Sequence, residues 1–181
     1  MKKLVLIAAC AAVAACNKGA NVDEKNASVA EVAQKVRESG ADQNFVDPGL
    51  WEQTVRLLSV DAPGMPAEAR SAMQKAMDQA QVHKVCLTPE EAKSPREDFF
   101  TGKAENCRYE HFKWGSGKID LRLECQHPNT RQMMELAGTY EPRRYSLTMT
   151  ATNLGKAPEE RLVMKMKVDA KNVGPCPAGQ D

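Results

Sequence analysis

The chain has 181 residues with 25 basic and 24 acidic side chains, a net charge of +1 and a mean hydropathy of −0.52. That length suits one domain with its own core. The charge is balanced, no basic stripe in the sequence points to a nucleic-acid partner, and no polybasic run marks a segment for anionic lipid heads.

Lys2 and Lys3 precede an uncharged apolar run, Leu4 to Ala15. A bilayer span needs about 20 such residues, so the run reads instead as the core of a secretory signal peptide. It ends Val13-Ala14-Ala15-Cys16, which resembles a bacterial lipobox. In such signals the cysteine is acylated and begins the mature chain. Ile7-Ala8-Ala9-Cys10 fits the pattern too but leaves a much shorter apolar run, so Cys16 is the expected lipidation site and residues 1–15 the signal. Two lipid attachments give stable anchoring, which makes the membrane the first expected partner. Asn17 stands where an Asp would mark inner-membrane retention. The expected location is therefore the cell envelope, facing the periplasm and leaning toward the outer membrane. Cleavage leaves 23 basic and 24 acidic side chains.

Residues 16–46 read as a lipidated tether. Val29, Val32 and Val36 recur at helical spacing and Gly40 can cap a helix end, but the apolar stripe is thin. Asp47-Pro48-Gly49 is a turn signal and opens the expected domain, residues 47–181. LWEQTVRLLSV has strand composition, and Pro63, Gly64 and Pro66 then break the chain. From Pro66, Ala69, Met73, Met77 and Ala80 repeat every three to four residues, predicting a helix. QVHKVCL follows as a short strand. Thr88-Pro89-Glu90-Glu91 is a capping box with proline in the first turn. Phe99-Phe100 are expected to pack back onto the core.

Beyond Cys107 the period changes to two. Ile119, Leu121, Leu123 and Cys125 alternate with charged residues. Tyr145, Leu147 and Met149 alternate with Ser146, Thr148 and Thr150. Leu162, Met164, Met166, Val168 and Ala170 alternate largely with lysine and aspartate. The breaks GSG, HPN, EPRR and NLGKAPEE are short, which predicts antiparallel neighbours with one dry face. The expected fold is α+β: a twisted antiparallel meander of about six or seven strands, curling toward a partial barrel. The helices after Pro66 and Thr88 are the expected covers.

The stretch CRYEHFKWGSGKIDLRLEC is symmetric about Ser116. A three-residue loop Gly115-Ser116-Gly117 pairs Trp114 with Lys118. It also sets Cys107 opposite Cys125, Tyr109 opposite Leu123 and His111 opposite Leu121. With Cys10 and Cys16 assigned to the signal and the anchor, Cys86, Cys107, Cys125 and Cys176 remain. An even number in an exported chain predicts two disulfides. Pairing in chain order, Cys86–Cys107 and Cys125–Cys176, pins more of the chain and is the leading expectation. Cys107–Cys125 with Cys86–Cys176 is the alternative, favoured by the distance that a simple meander puts between Cys125 and the C-terminal tail. No C-x-x-C spacing supports redox work.

His83, His111 and His127 form no metal motif, and neither a metal nor a cofactor is expected. Met133, Met134, Met149, Met164 and Met166 all fall in the meander, where thioethers suit Cu(I). Core filling explains them better, since Met164 and Met166 fall on the apolar parity of their strand. Methionine also lines adaptable apolar pockets, so Met149, Met164, Met166 and Tyr145 are the candidate ligand-facing residues. No catalytic signature is present.

PGLWE (Pro48–Glu52), VCLTPEE (Val85–Glu91), NCRYEHF (Asn106–Phe112), GSGKIDLRLEC, GTY (Gly138–Tyr140) and VGPCP (Val173–Pro177) together resemble domain-of-unknown-function family 3617. The resemblance implies a small exported protein with disulfides and a sheet-rich fold, and it implies no substrate. The expected function is non-enzymatic binding of an apolar ligand or a partner protein in the envelope. The alternatives are a structural or inhibitory envelope module without a ligand, and an enzyme of a type its sequence does not reveal.

Overall fold

A computed structural model describes residues 21–40, 46–77, 79–93 and 106–178. The signal, Cys16 and Phe99-Phe100 lie outside the described residues. Eight strands form one antiparallel sheet: β1 (Val22–Ser28), β2 (Gly49–Asp61), β3 (Gln81–Leu87), β4 (Cys107–Gly115), β5 (Lys118–Gln126), β6 (Arg131–Glu141), β7 (Arg144–Leu154) and β8 (Leu162–Gly174). Their spatial order is β1-β4-β5-β6-β7-β8-β2-β3. The expected meander is present from β4 to β8, and β2 with β3 extends it beyond β8. The sheet is not closed into a barrel; its edges are β1 and β3.

Among the described residues the α-helices are α1 (Val29–Ser39), α2 (Ala67–Met77) and α3 (Pro89–Lys93). Residues 22–39, read from the sequence as tether, belong to the folded unit. β1 pairs along β4 from Val22↔Trp114 to Ser28↔Arg108. Ser28 then starts α1 with a capping box: Glu31 N–H donates to Ser28 Oγ (3.2 Å) and Ser28 N–H to Glu31 Oε2 (2.7 Å). Gly40 ends the helix in the left-handed region, its N–H donating to Arg37 O at 3.1 Å. The stripe is thin because only Val32 and Val36 need burial, at 3% and 8% exposure. They join Tyr109, Phe112, Trp114, Ile119, Leu121, Leu123, Leu136 and Leu147 in one core. Thus α1 covers the dry face on its β1–β4 side, a role expected of α2 and α3. Most of α2 is exposed and packs chiefly against β2. α3 keeps its predicted capping box, Thr88 with Glu91, and buries Ala92.

The central hairpin corrects the expected register. Gly115 pairs with Lys118 and Trp114 with Ile119, so the loop has two residues. Ser116 and Gly117 both take positive φ, 52° and 72°, the pattern of the hairpin turn whose twist matches the strands. A bulge between Tyr109 and His111 then restores Tyr109↔Leu123 and Cys107↔Cys125. The bulge inserts one residue and so changes which face the following side chains take. Tyr109, Phe112 and Trp114 all point into the core, and His111 turns outward to sit opposite Arg122 rather than Leu121.

One end of the sheet is tied by its turns. Asp47 N–H donates to Pro142 O (2.6 Å) and Asn172 N–H to Arg143 O (2.9 Å). Asn172 Nδ2 donates to Pro48 O at 3.0 Å, and Gly174 N–H donates to Asn172 Oδ1 at 3.1 Å. Trp51, buried, donates from Nε1 to Asp47 O at 3.0 Å. Gly49 sits inside this knot with φ +132°. A Cβ there meets Gly174 O at 2.5 Å and Asn172 Nδ2 at 2.9 Å. Backbone cannot yield as a side-chain tip can, so Gly49→Ala is expected to destabilise by about 2 kcal/mol. Urea unfolding checks this, and an unchanged midpoint refutes it.

Candidate functional site

The two disulfides are Cys86–Cys176 and Cys107–Cys125, which overturns the chain-order pairing. The reason is topological. Cys125 lies near the end of β5 that leads into β6, level with the start of β8. Cys176 follows the opposite end of β8 and lies three strands away. Leu50 pairs with both Cys86 and Gly174, so the tail only has to pass the start of β2 to reach Cys86.

The four candidate ligand-facing residues share the dry face. Met149 on β7 lies opposite Met166 on β8, Met164 opposite Ala151, and Tyr145 opposite Ala170. They divide in environment. Tyr145 stacks on Trp51, with centroids 5.5 Å apart and planes at 27°, and its hydroxyl accepts from Gln53 Nε2 at 2.8 Å. Burial raises its pKa, against a smaller lowering by Gln53. Tyr145 is thereby a fixed wall, and Met149 leans on the core beside it. Met164 and Met166 are half-buried and stand outside the core cluster. Across β2 they meet Val60 and Leu57, with Val55 opposite Val168 in the next row. The result is an apolar strip along β8 and β2, continuous with the core.

The opposite face is polar. A shallow depression of about 360 Å³ is lined by Glu52, Thr54, Arg144, Ser146, Asp169 and Lys171 among others. Its charges are mostly paired: Lys171 Nζ to Glu52 Oε1 at 2.9 Å and Arg144 Nε to Glu141 Oε2 at 2.9 Å. Asp169 accepts from Ser146 Oγ at 2.7 Å. The Lys171 hydrogen bond lowers the Glu52 pKa, and the Ser146 hydroxyl lowers that of Asp169. Downward shifts keep a carboxylate charged, the opposite of what a general acid needs. Sequence parity marked Asp169 as outward-facing. It held no signal that β2 would bring Glu52 and Thr54 beside it, because that pairing joins chain ends.

The histidines are not brought together. His83 is on edge strand β3, His127 lies in the β5–β6 turn, and His111 contacts Asp120 Oδ1 at 3.1 Å near the other edge. Among the described residues no group of three potential ligands could hold a metal. No helix there is long and apolar enough to cross a membrane.

Fold and site together define a disulfide-tied, open antiparallel sheet protein with a half-buried apolar strip and a salt-bridged polar face. The chain belongs to the family described as protein of unknown function (DUF3617), which matches residues 46–176. No curated protein matches the chain, and no solved structure does. β1 and α1 precede the matched segment, although they complete the core.

Proposed function

We propose that this is a non-enzymatic cell-envelope lipoprotein, anchored through acylated Cys16 and facing the periplasm, in the outer rather than the inner membrane. Its role is to hold an apolar group against Met164, Met166 and Val60, beside the buried Leu57. The observation that supports this reading is the half-burial of Met164 and Met166 outside the core that α1 covers. Unbranched thioether side chains adapt to irregular apolar partners, and both methionines stand part-exposed on β8.

Native mass spectrometry of the membrane-extracted protein, without reductant, tests it. The expected result is an acylated chain starting at Cys16, two disulfides and a retained apolar molecule. The double change Met164→Gln with Met166→Gln should reduce that retention about tenfold or more, since each buried side chain contributes about 1.5 kcal/mol or more. Retention equal to the parent chain refutes the site, and cleavage without acylation refutes the anchor.

A second reading, a module that engages another envelope protein, draws on edge strand β3. Val82 and Val85 there are 58% and 43% exposed, and an edge strand offers unpaired backbone groups to a partner strand. A clean mass with no small molecule, together with one specific cross-linked protein in intact envelopes, would favour it.

A further inference from the structure

The polar face carries a cluster independent of the methionine strip. Arg56 on β2 lies directly opposite Lys167 on β8, and Lys165 stands in a neighbouring row opposite Ser59. On the other side of β8, Lys167 faces Thr148 and Lys165 faces Thr150. Three cations and three hydroxyls therefore share one face of three adjoining strands. Like charges directly opposed across a ladder repel. Four other cations on this face have a carboxylate within reach: Lys171 has Glu52, Arg144 has Glu141, Arg122 has Glu110 and Arg131 has Glu124. Here Asp169 lies 3.2 Å from Lys167 Nζ and already accepts from Ser146. Among the described residues Arg56 and Lys165 have no ion pair.

We propose that Arg56, Lys165 and Lys167, with Thr148, Thr150 and Ser59, form a site for a phosphate group. Three positive charges, set against Asp169 and against a Glu135 that lies opposite Thr150 but is paired with Arg122, favour an anion over a neutral ligand. Donors spread over two rows and three strands suit a tetrahedral group with several acceptor oxygens better than a planar carboxylate. Guanidinium and ammonium groups bind phosphate by charge-assisted hydrogen bonds. β7, β8 and β2 are interior strands of the sheet, which gives the cluster a rigid platform. No such cluster shows in the linear sequence, because Arg56 comes from a strand far from β8 in the chain.

Isothermal titration of the full chain at matched ionic strength tests the site with two probes, inorganic phosphate and the soluble diester glycerophosphoglycerol. At least one is expected to bind. The probe that binds more tightly distinguishes free phosphate from a phospholipid head as the source. Arg56→Gln and Lys165→Gln should each weaken binding about fivefold, as expected for one cation near an anion. All three positions are on the surface of the sheet, and an unchanged melting temperature confirms that the variants fold. Lys118→Gln, outside the cluster on the same face, should leave affinity unchanged. The proposal is overturned if neither probe binds at millimolar concentration, if the Arg56 and Lys165 variants bind like the parent, or if Lys118→Gln weakens binding equally.

Discussion

A chain beginning at Val46, where the family match starts, should fail to fold stably. It would lose β1 and α1, and with them the burial of Val22, Ala27, Val32 and Val36. The three valines alone account for roughly 4–5 kcal/mol at about 1.5 kcal/mol each, against a typical domain stability of about 5–15 kcal/mol. The loss does not end there. Tyr109, Phe112 and Trp114 lie under this cover, and β4 would become an edge strand with its backbone groups unpaired. Aromatic side chains beside a bare strand edge are an aggregation hazard. Expressed side by side, residues 21–181 should melt cooperatively, while residues 46–181 should bind a hydrophobic dye and show no sharp transition. A truncated chain melting within a few degrees of the longer one would show that α1 is an accessory.

The second large effect distinguishes the two disulfides. Cys86–Cys176 closes a sequence separation of 90 residues and Cys107–Cys125 one of 18. Loop-closure entropy gives about 4.6 kcal/mol for the first and about 3.2 kcal/mol for the second. The real gap is expected to be wider. The short loop is a hairpin with a favourable turn, whose ends already stay close in the unfolded ensemble. The long one joins β3 to the tail after β8 and holds the end of the sheet where Gly49, Trp51 and Asn172 meet. Replacing Cys86 and Cys176 by Ala should lower the melting temperature by roughly 10–15 °C, taking about 2–4 °C per kcal/mol. Replacing Cys107 and Cys125 should cost about half as much or less. Equal losses, or the reverse order, would show that the hairpin bridge carries more of the stability than its loop length allows.

Much of the sheet was legible because its strands write their own period. Ile119, Leu121, Leu123 and Cys125 alternate without a break, and each is buried. Seven of the eight strands follow from such patterns and from short turns. The missed strand, β1, reads VDEKNAS, which has no apolar alternation. It is a strand because β4 offers it a ladder, a tertiary cause that local composition does not record. The bulge at β4 was hidden for a related reason. RYEHFKW can be read with either parity, and only packing against α1 and β5 decides that Phe112 and Trp114 go in and His111 out. The disulfide pairing required the position of β2, which no local pattern supplies. Of the candidate residues, parity correctly put Met149, Met164, Met166 and Tyr145 on one face. It had no means of separating Tyr145, fixed between Trp51 and Gln53, from the half-open Met164 and Met166.

The place of β2 between β8 and β3 has a consequence in time. β2 is synthesised early, yet one of its two ladders is made with the last strand of the chain. Until Leu162–Gly174 emerges, the β2–β3 pair has no sheet to join. Its Cys86 then has Cys107 as the next thiol along the chain, not Cys176. Assembly governed by such distant contacts is slow, and the hairpin bridge Cys107–Cys125 is expected to close well before Cys86–Cys176. Cys86 is left waiting until the tail after β8 arrives, so the last covalent step in making this protein is expected to be its closure with Cys176.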